Sequence, residues 1–93
     1  MAKSVPRSFN EVGQNMYYVY LLKLNNGNYY TGYSANLEKR IVEHKRGKIL
    51  TTKNALPLKL VYYSVFFTRK RALAFEKYLK SSSGFAFRNK RLI

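Results

Sequence analysis

Apolar positions recur along the chain in two rhythms. Residues 17–24 (YYVYLLKL) and 59–67 (KLVYYSVFF) are dense in aromatic and branched side chains, which predicts strands. After the first comes Asn25-Asn26-Gly27-Asn28, a tight-turn signal in which Asn-Gly supplies the positive φ of a primed hairpin turn. Tyr29 to Tyr33 then reads as the returning strand, so residues 17–33 form a β-hairpin. The rhythm next turns helical. Leu37, Ile41 and the stem of Lys45 share one face, Ser34 or Asn36 can cap, and Gly47 can stop the helix. His44, Lys45 and Arg46 fall in the last turn, where cations suit the helix dipole. Residues 48–58 read as a loop. Thr68 caps a second helix over 68–80, with Ala72, Phe75 and Leu79 on its apolar face. Ser81-Ser82-Ser83-Gly84 breaks it, and 85–93 form a short basic helical tail. Residues 1–15 are polar, punctuated by Pro6 and Gly13, and read as a loosely ordered tail before a folded unit at 16–93. The order β-β-α-β-α-α predicts an α+β layer fold, a small mixed or antiparallel sheet with helices packed on it.

Composition narrows the function. The 93 residues set the scale of one domain, and a hydrophobic fraction of 46% suits a folded globule. There is no cysteine, which excludes disulfides, zinc-thiolate sites, iron–sulfur clusters and cysteine nucleophiles. Lys and Arg number 18 against 4 acids, a formal net charge of +14. Such an excess implies a polyanionic partner, nucleic acid first, because phosphate neutralisation releases counterions. A membrane surface fits less well, since the aromatics are spread over several segments and not gathered on one helix face. No stretch approaches the ~20 apolar residues of a spanning helix, and no signal-like apolar region follows Lys3 and Arg7. A soluble cytoplasmic protein, monomer favoured, is the expectation.

The available chemistry is narrow. The acids are Glu11, Glu38, Glu43 and Glu76, aspartate is absent, and His44 is the single histidine. This excludes a Ser-His-Asp triad, and neither a P-loop nor a GxGxxG run is present. Tyrosines cluster on the hairpin. Tyr18 and Tyr20 share a face, as do Tyr30 and Gly32. Tyrosine packs well in sheets, but a buried phenol needs a hydrogen-bond partner, so several beside a glycine suggest a site. Arg40 and His44 are four apart and share a helix face at the seam with the sheet. Arginine there can hold a phosphate bidentately. His44 can exchange a proton near neutral pH, or simply be a helix-terminal histidine. Glu76 falls beside Ala72 and Leu79 on the core-facing stripe. A carboxylate there is either ion-paired, for example to a buried arginine, or an oxygen ligand for Mg²⁺. Glu38 suits a first-turn acid and Glu43 an i,i+4 partner of Lys39.

Tyr18-Val19-Tyr20, Tyr30-Thr31-Gly32, Arg40, His44, Gly47 and then Glu76 stand in an order that resembles the GIY-YIG endonuclease family. In detail it looks like the small stand-alone bacterial members, and the resemblance runs from about Tyr17 to Ile93. The resemblance implies a three-stranded antiparallel sheet flanked by helices, with 16–93 as the nuclease domain. It implies that Tyr20 and Tyr30 are the active-site tyrosines that activate the attacking water. Arg40 would stabilise the phosphate in the transition state, His44 occupies a position often held by histidine or tyrosine, and Glu76 matches the single metal-binding glutamate. One divalent ion, Mg²⁺ or Mn²⁺, is the implied cofactor, and DNA, or else RNA, the implied substrate, in repair or recombination. Nucleic-acid contacts are expected from Tyr18, Gly32, Lys39, Lys45, Arg46, Lys48, Arg69 and Arg71. The first motif carries Tyr18 where the family has glycine, Thr31 stands for isoleucine or valine, and Asn89 is the candidate for the family's C-terminal asparagine.

Two other readings compete with an enzyme. One is a non-catalytic nucleic-acid-binding module on the same fold, using the basic segments at 39–48, 69–71 and 88–91. The other is a basic subunit of a larger assembly. A divalent ion at Glu76 favours the enzyme, whereas an ion pair from Glu76 to Arg40 or a lysine favours the binding module.

Overall fold

A computed structural model of the chain describes residues 15–93, so the expected tail lies outside the described residues except for Asn15. Three strands, β1 (Tyr17–Lys23), β2 (Tyr29–Ser34) and β3 (Lys59–Phe66), form one antiparallel sheet in the order β2-β1-β3. The hairpin forms as expected, but its turn is not a primed one: Asn25 and Asn26 keep negative φ, and Gly27, at φ +86°, donates its N–H to the Leu24 carbonyl at 3.0 Å and closes the loop as a glycine bulge. In the register Tyr20 faces Gly32 on one side and Tyr63 on the other, with a bulge between Leu21 and Leu22 against β3.

The central strand is buried on both faces, Tyr18 to Leu22 being at most 1% exposed. Tyr18, Tyr20 and Leu22 pack with Leu37 and Ile41 of α1 (Leu37–Lys45) and with Leu58. Val19 and Leu21 pack on the other face against Ala72 and Leu79 of α2 (Arg69–Leu79). The third helix, α3 (Ser82–Arg91), packs on α2, and Leu92 just beyond it reaches the same core. The result is a three-layer α+β fold. Among the described residues no helix is long and apolar enough to cross a membrane.

Asn36 caps α1, its side chain accepting from the Lys39 N–H at 3.1 Å, while the Ser34 hydroxyl braces the preceding turn. The inner face of α1 is Leu37, Ile41 and His44, and Lys45 is exposed. The expectation for Lys45 is corrected by the helical wheel. At ~100° per residue, position 44 falls ~20° from Leu37 and position 45 ~80° away.

Of the break expected over Ser81 to Gly84 only Ser81 lies outside a helix, and with Lys80, the C-cap of α2, it makes a two-residue connection. The Ser81 hydroxyl donates to the Tyr78 carbonyl at 2.6 Å, closing α2, and accepts from the Gly84 N–H at 3.2 Å, capping α3. The helices are thereby drawn so close that a Cβ on Gly84 would meet the Tyr78 carbonyl and lie 2.8 Å from the Leu79 Cα. Backbone on both sides cannot yield as a flexible side chain would. Gly84→Ala gains helix propensity of ~1 kcal/mol but incurs overpacking of roughly 1–3 kcal/mol. Contacts this close to backbone place the cost at the upper end, so a net loss of about 2 kcal/mol is expected in urea unfolding.

His44 is fully buried, with Nε2 2.8 Å from Tyr20 Oη and Nδ1 2.8 Å from Thr52 Oγ1. Burial, and then the Arg40 charge, push its pKa down from 6.5 to about 4, with Glu43 opposing. Between these values the unfolded chain takes up a proton that the folded protein refuses. Stability is therefore full above pH 6.5 and falls as the pH drops towards about 4. This one group accounts for up to ~3 kcal/mol. The melting temperature should fall between pH 7 and pH 4.5, with a shallower slope in His44→Gln; equal slopes would contradict this account.

Candidate active site

The site grows from the middle of β1. Tyr20 stands opposite Gly32, and a Cβ on Gly32 would strike the Tyr20 ring, with Cε1 at 2.9 Å. The ring therefore lies across the neighbouring strand, which only glycine leaves flat enough. Its hydroxyl meets His44 Nε2, which α1 delivers because position 44 completes the inner face. Tyr30, half-buried on β2, sets its ring edge-on to His44 at 5.1 Å between centroids, and 6.3 Å from Tyr20. Three rings thus share one seam, closed to water on the Tyr20 and His44 side.

Burial raises the Tyr20 pKa above the ordinary phenol value, and Tyr30 raises it further. Arg40 lowers it, while Glu76 and Glu43 raise it. The sequence suggested that a phenol here could be a base if nearby cations depressed its pKa. In the folded protein desolvation outweighs Arg40, so Tyr20 is protonated at neutral pH. His44 is neutral there, which corrects the expectation that it exchanges protons near neutral pH.

Arg40 lies one turn before His44 but points outward, its side chain 40% exposed. Its Nη1 is 3.7 Å from Glu43 Oε1, a loose pair that a phosphate can displace. Both line an open cleft of about 340 Å³ with Ser34, Ala35, Asn36 and Lys39. A half-exposed guanidinium beside a lysine at the first turns of a helix is chemically suited to a phosphodiester.

Glu76 comes from the opposite layer, on α2. Its side chain is 20% exposed, so it sits at the margin of the apolar face and not within it, and the expected desolvation cost is smaller. It pairs with Lys80 at 3.2 Å, not with Arg40. No hydrogen bond joins it to the tyrosines, but its charge reaches Tyr20. Among the described residues no three His, Cys, Asp or Glu side chains gather as a metal cage. A single carboxylate fits a hard ion that keeps its waters and takes phosphate oxygens, such as Mg²⁺ or Mn²⁺. It does not fit zinc, which takes three or four protein ligands.

The fold thus brings Tyr20, Tyr30 and His44 into contact, with Arg40 on the rim and Glu76 within reach of its field only. Tyr18 and Gly32 are corrected as nucleic-acid contacts. Tyr18 is fully buried and packs edge-on to Tyr63, and Gly32 lies beneath the Tyr20 ring. Lys39, Lys45, Arg46, Lys48, Arg69 and Arg71 are all exposed. Asn89 accepts from Nε and Nη2 of Arg88 at 3.1 and 2.9 Å, and Arg88 lies over Phe85 and Tyr29. Thr52 was not anticipated. Nothing separates it from Thr51 in the sequence, and only the loop's path buries it.

Comparison with known proteins bears on the family and the fold. A family model described as the GIY-YIG catalytic domain matches residues 16–91. A UPF0213 protein of Staphylococcus saprophyticus is 40% identical over 68 residues, covering 72% of this chain and 83% of that one. A UPF0213 protein of Bacillus licheniformis is 40% identical over 70 residues, covering 74% of this chain and 72% of its own length. The solution NMR structure of a UPF0213 protein from Bacillus halodurans superposes with a TM-score of 0.53 at 28% identity, covering 83% of this chain and 86% of that one. A divalent metal is the general cofactor of the nucleases that carry this domain. On its matched domain, its strand order and its clustered tyrosines, this chain belongs to the GIY-YIG nuclease family.

Proposed function

We propose that this chain is a metal-dependent endonuclease that hydrolyses phosphodiester bonds of DNA, with RNA as the alternative substrate. The observation that supports it best is the placement of the Tyr20 hydroxyl. It is held by His44 and lies in the opposed fields of Arg40 from one layer and Glu76 from the other. The exposed Lys39, Lys45, Arg46, Lys48, Arg69 and Arg71 gather the phosphate backbone, and the net charge of +14 makes that binding salt-sensitive. The unit at 16–93 acts as a cytoplasmic monomer, with residues 1–15 as an appended tail.

Arg40 exchanges Glu43 for the scissile phosphate and supplies preorganised positive charge to the oxygens that become more negative in the transition state. Tyr20 and Tyr30 orient the attacking water. In the free protein the half-buried Tyr30 is the one open to water, while Tyr20 is dry, keeps its proton, and turns base only when substrate binding brings water and more positive charge beside it. Glu76 would hold the divalent ion, which would supply positive charge to the phosphoryl oxygens.

The Glu76–Lys80 pair is what a non-catalytic nucleic-acid-binding module would show. It is an i,i+4 pair whose lysine is more than half exposed, which binds weakly and leaves the carboxylate available to an ion. Cleavage of labelled DNA and RNA with Mg²⁺ or Mn²⁺ separates the two readings. Metal-dependent cutting lost in Glu76→Ala, and reduced about 10²-fold or more in kcat by Arg40→Ala, is expected. Salt-sensitive binding without cutting, unchanged by Glu76→Ala, would instead establish the binding module.

A further inference from the structure

Thr52 lies in the loop between α1 and β3 and is fully buried. Its backbone is pinned on both sides. The N–H donates to the Ile49 carbonyl at 3.1 Å, and its carbonyl accepts from the Ala55 N–H at 3.0 Å. Ala55 in turn accepts from the Asn25 N–H at 3.0 Å, tying the loop to the β1–β2 turn. Threonine has few side-chain rotamers, so a pinned backbone holds its hydroxyl in place. That hydroxyl lies 2.8 Å from His44 Nδ1, and His44 is its one hydrogen-bond partner among the described residues.

A buried chain Thr52–His44–Tyr20 results, and it can run in either direction. In a neutral imidazole one nitrogen donates and the other accepts. Were Nδ1 to carry the proton, it would donate to Thr52, and the Thr52 O–H would be left without an acceptor where no water reaches. With the proton on Nε2, Thr52 donates to Nδ1 and Nε2–H donates to Tyr20 Oη. The one hydrogen left over is then that of Tyr20, at the end of the chain that feels Arg40, Glu43 and Glu76. Each direction leaves one hydroxyl hydrogen over, and they differ in where it lies: that of Thr52 would be sealed under the loop, whereas that of Tyr20 adjoins the half-buried Tyr30 and the charged side of the site, where a ligand oxygen can accept it, so the second direction prevails.

We infer that Thr52 is a positioning residue whose hydroxyl sets the Nε2–H tautomer of His44 and so makes His44 a hydrogen-bond donor to Tyr20. The Tyr20 proton is then directed away from His44, towards the charged side of the site. His44 supports the phenol oxygen and does not collect its proton. The link to catalysis rests on the endonuclease reading, whereas the tautomer does not.

The test uses the full chain labelled with ¹⁵N and long-range ¹H–¹⁵N correlation spectra of the imidazole at pH 7. His44 is the single histidine, so the signals need no assignment. Expected are a protonated Nε2 and an acceptor-type Nδ1, a pattern kept in Thr52→Ser and in Tyr20→Phe and lost in Thr52→Val. A wild-type ring protonated on Nδ1 overturns the inference even if Thr52→Val fails to fold. So does a pattern that Thr52→Val leaves unchanged. Where cleavage is observed, Thr52→Val should lower kcat by roughly tenfold or more with little change in KM, and Thr52→Ser should restore most of it. Equal kcat in wild type and Thr52→Val overturns the positioning role. Absence of cleavage in the wild type counts against the nuclease reading alone, since the spectra decide the tautomer independently.

Discussion

The hydrogen bond between Tyr20 Oη and His44 Nε2 joins the central strand to the first helix across 24 positions of sequence, and the site depends on it. Both groups are closed to water, so each must find its partner within the protein. Several features meet this demand together. Gly32 leaves the adjacent strand flat beneath the Tyr20 ring. Asn36 and Ser34 set where α1 begins, and hence which residue arrives one heptad after Leu37. Thr52 satisfies the far nitrogen of the ring. Loss of any one of these would leave a polar atom buried and unpaired.

The three-layer architecture gives this bond its chemical interest. A sheet of only three strands is narrow, and its central strand lies beneath helices on both faces. Charges on both layers consequently act on one phenol, Arg40 lowering its pKa and Glu76 and Glu43 raising it. Desolvation and the neighbouring Tyr30 outweigh these charges, so the phenol stays protonated. The exposed cations of α1 and α2 contribute differently, as a diffuse attraction for polyanions that salt can screen.

The fold was largely legible in the chain, because local rules sufficed for it. Branched and aromatic runs marked the strands, Asn26-Gly27 the turn, Thr68 a cap and Gly47 a stop. Where the reading slipped, a helical wheel or a tertiary approach decided the matter. Lys45 yielded the inner face of α1 to His44 by the angle of one residue. Gly84 looked like a helix breaker but is a close-approach position inside α3. The hydroxyl of Ser81 performs the stop and the start at once, so only Lys80 and Ser81 separate α2 from α3.

The site was legible in part. Residue type and spacing pointed to Arg40, His44, Glu76 and the hairpin tyrosines as a group, and the resemblance to the family picked out Tyr20 and Tyr30 among them. Burial decided the rest. Tyr18 and Gly32 share the motifs but lie inside, away from any ligand. The shifts at Tyr20 and His44 arise first from desolvation, which depends on what the rest of the chain lays over a residue. Thr52 is identical to its neighbour until the loop turns it towards His44. The sequence by itself determined the strands, the helices and the inventory of reactive groups, which follow from local propensity and period. Only the tertiary structure decided which groups are dry, which are paired and which face the cleft, because those properties belong to neighbours remote in sequence.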